Sequence, residues 1–214
     1  MSKLSIRIIP VTPFQQNCSL IIDEDTMLAA VVDPGGDLAR IEAAIAEAGV
    51  KVDKILLTHG HVDHAGGAAD LAAKLKVPVI GPAIADKPVL DNIPNRAAMF
   101  GMPEAKGVTP NQWLMEGDEV SVGGIKFRVI EAPGHSPGSV VLFSAEHKFA
   151  LMGDVLFKNS IGRTDIPLGN HETLMRSIFE KVLPLGDEVN FLPGHGSPSQ
   201  IGQERKSNPF LQAI

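Results

Sequence analysis

The sequence predicts a layered α/β fold in which two β-sheets lie face to face and helices cover their outer sides. The first half alternates strands with helices, from SIRIIPV through KILLT to VPVIG. In the second half, four strand-like runs follow one another across short turns before one helix and a last strand. Because each half supplies both strands and helices, we expect two packed sheets and not one doubly wound sheet.

A single domain spanning residues 1–214 is the simplest organisation, because the chain has no 20–50-residue repeat and no low-complexity linker. Its longest apolar runs, LAAVV and VVLF, are far shorter than the roughly 20 residues of a membrane-spanning helix. The start, MSKLSIRIIPVTP, is typical of a first strand and not of a signal peptide. We therefore expect no membrane association.

Charge and cysteine content narrow the possible partners and compartment. The formal net charge is −6 and no dense Lys/Arg run occurs, which argues against a nucleic-acid surface. The one cysteine, Cys18, cannot form an internal disulfide, and its place in NCSLII is typical of a buried core residue and not of a catalytic thiol. These features favour a reducing compartment, and we expect the cytoplasm.

The first half opens with three strands, SIRIIPV, CSLIID and LAAVV, each ended by polar, Pro or Gly residues. LARIEAAIAEAG then repeats apolar residues at helical spacing, with Asp37 placed to cap its start and Gly49 its end. Strand KILLT, helix ADLAAKL and strand VPVIG follow, and residues 82–112 predict irregular structure with short helices. This alternation indicates strands joined through helical crossovers.

The second half predicts consecutive strands DEVSV, GIKFRVIEA, GSVVLFS and KFALMGD, with tight turns such as the glycine pair 123–124. A helix, HETLMRSIFEKVL, a strand, EVNFLPG, and a short tail helix complete the chain.

The stretch THGHVDH concentrates four metal-ligating side chains in six residues, namely His59, His61, Asp63 and His64. Imidazole and carboxylate ligands at this spacing can surround cations. Neighbouring imidazoles would repel one another if protonated, which favours neutral rings able to bind metal. The motif by itself predicts a metal site.

Three further candidates follow the ends of later strands, namely His135 in PGHSPG, Asp154 in MGDV and His195 in PGHG. Each alone would be an ordinary loop residue, but loops at strand ends are where binding groups concentrate. Seven ligands exceed one tetrahedral zinc and suffice for two cations that share a carboxylate, which favours hydrolysis. The remaining histidines His147 and His171 are expected to be exposed and structural.

The sequence resembles the metallo-β-lactamase superfamily, most closely glyoxalase II (hydroxyacylglutathione hydrolase) in its short bacterial YcbL form. The likeness runs almost end to end, through IIPVTPFQQNCSLI, VVDPGGD, ILLTHGHVDHAGG, PGHSPGS, GDVLFKNSIGRTDIPLGN, FLPGHG and ERKSNPF. The resemblance implies an αββα sandwich and a hydrolase that converts S-D-lactoylglutathione to D-lactate and glutathione with a hydroxide held between two metal ions. It also implies two divalent ions, zinc first, although iron or manganese suit the same ligands.

The resemblance implies a role for each ligand: His59, His61 and His135 for the first metal, Asp63, His64 and His195 for the second, and Asp154 as the bridge. Asp63 would also be catalytic, by accepting a hydrogen bond from the hydroxide. Asp33 and Thr58 could orient ligands, or could equally be a turn acid and a strand-end hydroxyl.

Substrate contacts are less clearly implied. Longer glyoxalase II enzymes grip glutathione with an additional C-terminal helical portion and tyrosines, whereas this sequence has no tyrosine. Arg163 in GRTD and nearby Lys158 are the sequence-local candidates for holding an anionic substrate, and a loop-stabilising role for Arg163 is as plausible.

Alternatives of the same fold remain, above all a persulfide dioxygenase with one iron, or a hydrolase of another small thioester. A β-lactamase is disfavoured because Cys18 lies far from the motifs, a lactonase by the absence of tyrosine, and a tRNA nuclease by the acidic charge. From another class, a catalytically idle metal-binding module is disfavoured by the complete ligand set. The expected partner is a small molecule, and the oligomeric state stays open.

Overall fold

Two six-stranded β-sheets form the centre of the molecule, in a computed structural model that describes residues 2–212. The first sheet has the order β1-β2-β3-β4-β5-β6, antiparallel across β1–β3 and parallel from β3 to β6. Its strands are β1 Leu4–Val11, β2 Gln16–Asp23, β3 Leu28–Val32, β4 Lys51–Leu56, β5 Val79–Ala83 and β6 Gln112–Leu114.

The second sheet has the order β14-β13-β10-β9-β8-β7, and in it β10 pairs with β13 in parallel. Its strands are β7 Glu119–Val122, β8 Ile125–Glu131, β9 Val140–Ser144, β10 Phe149–Gly153, β13 Asn190–Pro193 and β14 Ser199–Gln200. A small hairpin of β11 Leu156–Phe157 and β12 Ser160–Ile161 follows β10.

The helices are α1 Leu38–Ala48, α2 Val62–Ala65, α3 Ala68–Leu75, α4 Lys87–Asp91, α5 Ile93–Met99, α6 His171–Ser177, α7 Ile201–Ser207 and α8 Pro209–Gln212. None of these helices is long and apolar enough to cross a membrane. The helix predicted over HETLMRSIFEKVL is α-helical only as far as Ser177. It continues as a π-turn and then a 3₁₀ turn that contains Pro184, a residue that cannot extend an α-helical ladder.

Three apolar clusters show how the layers pack. One lies between the sheets and includes Leu56, Phe127 and Leu142, all fully buried. A second joins the first sheet to α1 and α3 through residues such as Ile41, and a third joins the second sheet to α6 and α7 through residues such as Phe191. The predicted αββα sandwich, with two mixed sheets face to face and helices outside, is confirmed.

Two local predictions need correction. Asp37 occupies the N-cap position of α1, but its side chain does not cap the helix. It instead accepts a 2.7 Å hydrogen bond from the Thr12 N–H, so it ties the helix start to the β1–β2 loop. His147 is half-buried and not exposed, because its ring bonds to Ser144 Oγ at 2.9 Å and to the Ser2 carbonyl at 2.7 Å.

Other local predictions are confirmed. Gly49 ends α1 in the left-handed region, with φ 65°, and Cys18 is fully buried in β2. His171 is exposed at the start of α6, and two short helices, α4 and α5, lie within residues 82–112.

Candidate metal centre at the strand ends

The loops that follow β4, β8, β10 and β13 meet at one edge of the sandwich. Parallel pairing of β10 with β13 brings their carboxyl ends to the same edge, and the other two loops close over it. The structure thereby brings together all seven sequence-predicted ligand residues: His59, His61, Asp63, His64, His135, Asp154 and His195.

A first cluster consists of His59, His61 and His135, each of which offers a ring nitrogen within 4.8 Å of the others. His61 Nδ1 and His135 Nε2 are 2.9 Å apart. His59 is fully buried, and its Nε2 has no hydrogen-bond partner. The three nitrogens therefore point at one another across a space with the dimensions of a metal site.

A second cluster consists of Asp63, His64 and His195, again with ligand atoms within 4.8 Å of one another. His64 Nε2 is 3.2 Å from His195 Nε2, which is itself 3.2 Å from Asp63 Oδ2. Asp63 and His64 lie on α2, so one short helix turn delivers two of the three groups.

Asp154 lies between the two clusters. Its Oδ1 is 3.4 Å from His64 Nε2, while its Oδ2 is 3.5 Å from His135 Nε2 and 3.6 Å from His195 Nε2. One carboxylate thus faces ligands of both clusters, which is the arrangement that a bridging ligand requires.

Four of the five histidines are anchored through the ring nitrogen that points away from the clusters. The pairs are His59 Nδ1 with Thr58 Oγ1 at 3.1 Å, His64 Nδ1 with Asp33 Oδ2 at 2.9 Å, His135 Nδ1 with the Arg163 carbonyl at 2.8 Å and His195 Nδ1 with the Phe14 carbonyl at 3.3 Å. Carbonyl and carboxylate oxygens only accept hydrogen bonds, so these outer nitrogens carry the proton. The inner nitrogens of neutral rings are then left with lone pairs.

Asp33 connects two of these anchors. It is almost fully buried, and it accepts hydrogen bonds from the Thr58 N–H at 2.8 Å and from the Thr58 hydroxyl at 2.6 Å as well as from His64. Because the Thr58 hydroxyl donates to Asp33, it can only accept from His59 Nδ1. Asp33 and Thr58 are therefore in place to orient ligand rings, the first of the two readings that the sequence left open.

The donor set fits divalent cations. Imidazole nitrogens face each other at 2.9 Å in the first cluster and at 3.2 Å in the second, a repulsive arrangement unless a proton or a cation lies between them. His59 Nε2 and Asp154 Oδ1 are buried polar atoms without a hydrogen-bond partner, which is costly unless another group satisfies them. Imidazoles mixed with carboxylates suit zinc, iron and manganese.

The electrostatics of the two clusters differ. Burial and the neighbouring His64 charge lower the pKa of His59 well below its usual value, and burial lowers the pKa of His61 to about 3. Burial also acts to lower the pKa of His64, but the carboxylates of Asp154 and Asp63 outweigh it and leave that pKa well above normal. His59 and His61 thus stay neutral, while the carboxylates of the second cluster favour a positively charged His64.

Two glycines allow the close approach of the loops. A Cβ on Gly194 would collide with Asp154 Oδ1 and with the His64 ring, and a Cβ on Gly162 would collide with the Asp154 carbonyl. A side chain at either position would overlap the atoms around the candidate ligands, so only glycine fits there.

Asp86 is a site residue for which the sequence offered no signal, since it lies in the irregular segment after β5. Its buried carboxylate accepts from the Gly60 N–H at 2.7 Å, the Gly138 N–H at 2.6 Å and the Ser136 hydroxyl at 2.8 Å. Burial raises its pKa. Asp86 therefore ties the loop that holds His59 and His61 to the loop that holds His135.

A cavity of about 370 Å³ opens above the clusters. Its floor includes candidate ligand residues of both clusters, and its walls are mainly apolar, with Phe14, Val89, Ile93, Phe100, Phe157, Ile166 and Leu168 among them. Arg163 lines the cavity, whereas Lys158 is exposed and does not line it. Arg96 also lines the cavity, and sequence reasoning did not single it out.

Comparison with known proteins gives a consistent result. The sequence profile of the metallo-beta-lactamase superfamily matches residues 11–195. Hydroxyacylglutathione hydrolase GloC of Haemophilus influenzae is 44% identical over 211 residues, which are 98% of this chain and 99% of that protein.

Two solved structures are similar over nearly their whole length. The BLEG-1 B3 metallo-beta-lactamase superposes with a TM-score of 0.89 at 33% identity, covering 98% of this chain and 100% of that one. TTHA1623 in a di-iron-bound form has a TM-score of 0.87 at 33% identity, covering 96% and 100%.

Proposed function

The chain belongs to the metallo-β-lactamase superfamily and is a metallo-hydrolase, and on that premise we propose that it hydrolyses a small thioester, foremost S-D-lactoylglutathione to D-lactate and glutathione. The observation that carries the proposal is the 44% identity, over 98% of this chain, with a hydroxyacylglutathione hydrolase, in a chain whose seven candidate ligand residues meet beside one cavity. The proposed compartment is the cytoplasm, in keeping with the single buried cysteine, Cys18.

The proposed ligand assignment follows the two clusters, with His59, His61 and His135 for one ion, Asp63, His64 and His195 for the other, and Asp154 shared. Divalent ions held there would lower the pKa of water to near neutrality and polarise a carbonyl group. Two ions are proposed, with zinc as the first choice; iron and manganese accept the same ligands.

We assign to Asp63 the role of orienting the attacking water. It lines the cavity, and its Oδ2 lies 3.2 Å from His195 Nε2. Burial acts to raise its pKa, but the charges of His64 and His195 leave that pKa below normal, so the carboxylate stays ionised. An ionised carboxylate can accept a hydrogen bond from water and orient its oxygen toward the substrate carbonyl.

The cavity fits a thioester. Its floor carries candidate ligand residues, and its mainly apolar walls would limit the water around a bound scissile bond. The departing thiolate needs no general acid to leave, because thiols have an ordinary pKa of about 8.5. The site accordingly contains a base-like carboxylate at Asp63 and needs no separate proton donor.

The test is hydrolysis of S-lactoylglutathione by purified protein whose metal content has been quantified by mass spectrometry. We expect His61→Ala and Asp154→Ala to abolish activity, because each removes a ligand, and the exposed His171→Ala variant to retain it. Protein that carries one iron, consumes oxygen with glutathione persulfide and leaves the thioester intact would show a persulfide dioxygenase instead. Full activity in Asp63→Ala would contradict the assigned role of Asp63.

A β-lactam is the second candidate substrate, because the BLEG-1 structure is named a B3 metallo-beta-lactamase and matches this chain over 98% of its length. Water attacks the carbonyl carbon of a β-lactam amide as it attacks the carbonyl carbon of a thioester. A chromogenic cephalosporin assayed beside the thioester separates the two, and faster turnover of the cephalosporin would replace our proposal.

A further inference from the structure

Two arginines line the cavity, and they differ in what holds them. The Arg163 guanidinium is paired with Asp165, through Nε to Oδ1 at 2.9 Å and through the second nitrogen to Oδ2 at 3.0 Å. Within residues 2–212, Arg96 has no carboxylate within 4.0 Å. Its contacts are a weak 3.8 Å approach to Met99 Sδ and the face of Phe100, whose ring centroid is 5.0 Å from the guanidinium carbon.

Arg96 is held in place by its helix. On α5, Ile93 and Ala97 are buried in the core, and the helix packs against α2, which carries two ligand residues. Phe100, which stacks under the guanidinium, is itself braced by Phe14 in an edge-to-face pair with ring centroids 5.3 Å apart. The charged group is therefore pre-organised at the wall of the cavity.

A half-buried guanidinium beside apolar walls is suited to bind an anion. Near it the cavity is lined by residues such as Val89, Ile93 and Phe100, which supply no competing negative charge. Guanidinium groups bind carboxylates through two parallel hydrogen bonds, and such bonds strengthen where water is excluded. Arg163 is less suited to bind an anion, because its charge is already paired with Asp165 and its side chain is largely exposed.

From these contacts we propose that Arg96 is the anion-binding residue of the cavity and selects thioesters that carry a carboxylate away from the scissile carbonyl. The inference rests on the proposed thioesterase function and deepens it. Arg96 acts on binding and not on the chemical step, because it lies on a wall of the cavity and outside the ligand clusters.

The test compares Arg96→Gln with Arg163→Gln, the other arginine of the cavity, and with the control Arg176→Gln, an exposed arginine that does not line the cavity. The two substrates are S-lactoylglutathione and its diethyl ester, in which both carboxylates are masked. For Arg96→Gln we expect KM for the free acid to rise about tenfold or more, with kcat changed less than about twofold, as loss of a charged hydrogen bond predicts. KM for the diester should not change. Arg163→Gln should raise KM for the free acid less than Arg96→Gln does, because the Arg163 guanidinium is already paired with Asp165. Arg176→Gln should leave KM for both substrates at the wild-type value, and Arg96→Lys should restore part of the loss.

A binding measurement separates this inference from the proposed function. Calorimetric titration with S-hexylglutathione, a thioether that cannot be hydrolysed, should show about tenfold weaker binding to Arg96→Gln than to wild type. Binding of this kind in a protein that hydrolyses no thioester would refute the proposed function and leave the Arg96 assignment standing. The assignment is overturned if Arg96→Gln impairs acid and ester equally, if Arg163→Gln has the larger effect, or if wild-type protein does not bind the thioether.

Discussion

Replacing Asp33 with Asn tests whether the groups behind the ligands set metal affinity. Asp33 has φ 52°, a left-handed conformation that Asn tolerates, and the two side chains have the same shape. Asn has one acceptor oxygen, which can keep the bond from the Thr58 N–H. Its amide nitrogen would stand where Oδ2 now accepts from the Thr58 hydroxyl and from His64 Nδ1.

The size of the expected loss in metal affinity follows from the tautomer of His64. Facing an amide donor, Nδ1 must become an acceptor, which moves the proton to Nε2, the nitrogen directed at the second cluster. Loss of such an anchoring partner typically costs about 10–100-fold in metal affinity. We expect that loss at the second cluster, equivalent to about 1.4–2.7 kcal/mol.

The assay is titration of metal-free protein with zinc against a chelating dye. The control is Asp23→Asn, since Asp23 is equally buried and accepts from the Gly124 N–H and the Thr26 hydroxyl. It lies at the other end of β2, about 20 Å from the metal centre at the rise of a β-strand, so it should change stability without changing zinc affinity. Zinc binding by Asp33→Asn within threefold of wild type, in a folded protein, would refute the reasoning.

Three further predictions concern the same centre. Gly194→Ala should lower both metal content and thermal stability, because the added Cβ collides with Asp154 and His64; equal metal content by mass spectrometry would contradict this. Zinc affinity should rise with pH as far as the raised pKa of His64 and level off above it, because a proton occupies the ligand nitrogen below that pKa. Calorimetry in two buffers of different ionisation enthalpy should then detect proton release on zinc binding at pH 7, and no release would oppose the prediction. Asp86→Asn should lower kcat by about tenfold or more and reduce unfolding free energy by about 1–3 kcal/mol, since three donors to Asp86 lose charge-assisted bonds. An unchanged kcat would show that the two histidine loops keep their positions without the carboxylate.

The seven candidate ligand residues could be picked out from the sequence because their side chains are chemically distinctive and each follows a recognisable strand. His135 and Asp154 each looked ordinary alone, yet their positions after β8 and β10 linked them to THGHVDH. The sandwich could be predicted in the same way, from the order of strands and helices in the two halves.

Other site residues could not be predicted because their roles depend on what approaches them in three dimensions. Asp86 has no motif, and its three donors come from segments remote in sequence. Arg96 gains importance only because no described carboxylate pairs with it, while Arg163 of GRTD, which the sequence offered as a candidate substrate contact, is paired with Asp165. Asp37 is a local example of the same limit on prediction, since its side chain bonds to the Thr12 N–H and does not cap its own helix.

The anchoring of His135 and His195 by main-chain carbonyls has a consequence for how this scaffold can diversify. The carbonyls belong to Arg163 and Phe14, whose side chains line the cavity. Substitution at either position therefore alters the chamber that receives the substrate while leaving the anchoring atom in place. Libraries randomised at positions 14 and 163 should yield variants with altered substrate preference and normal metal content. Insertions or deletions in the same two loops should instead abolish metal binding, because they displace the anchoring carbonyls.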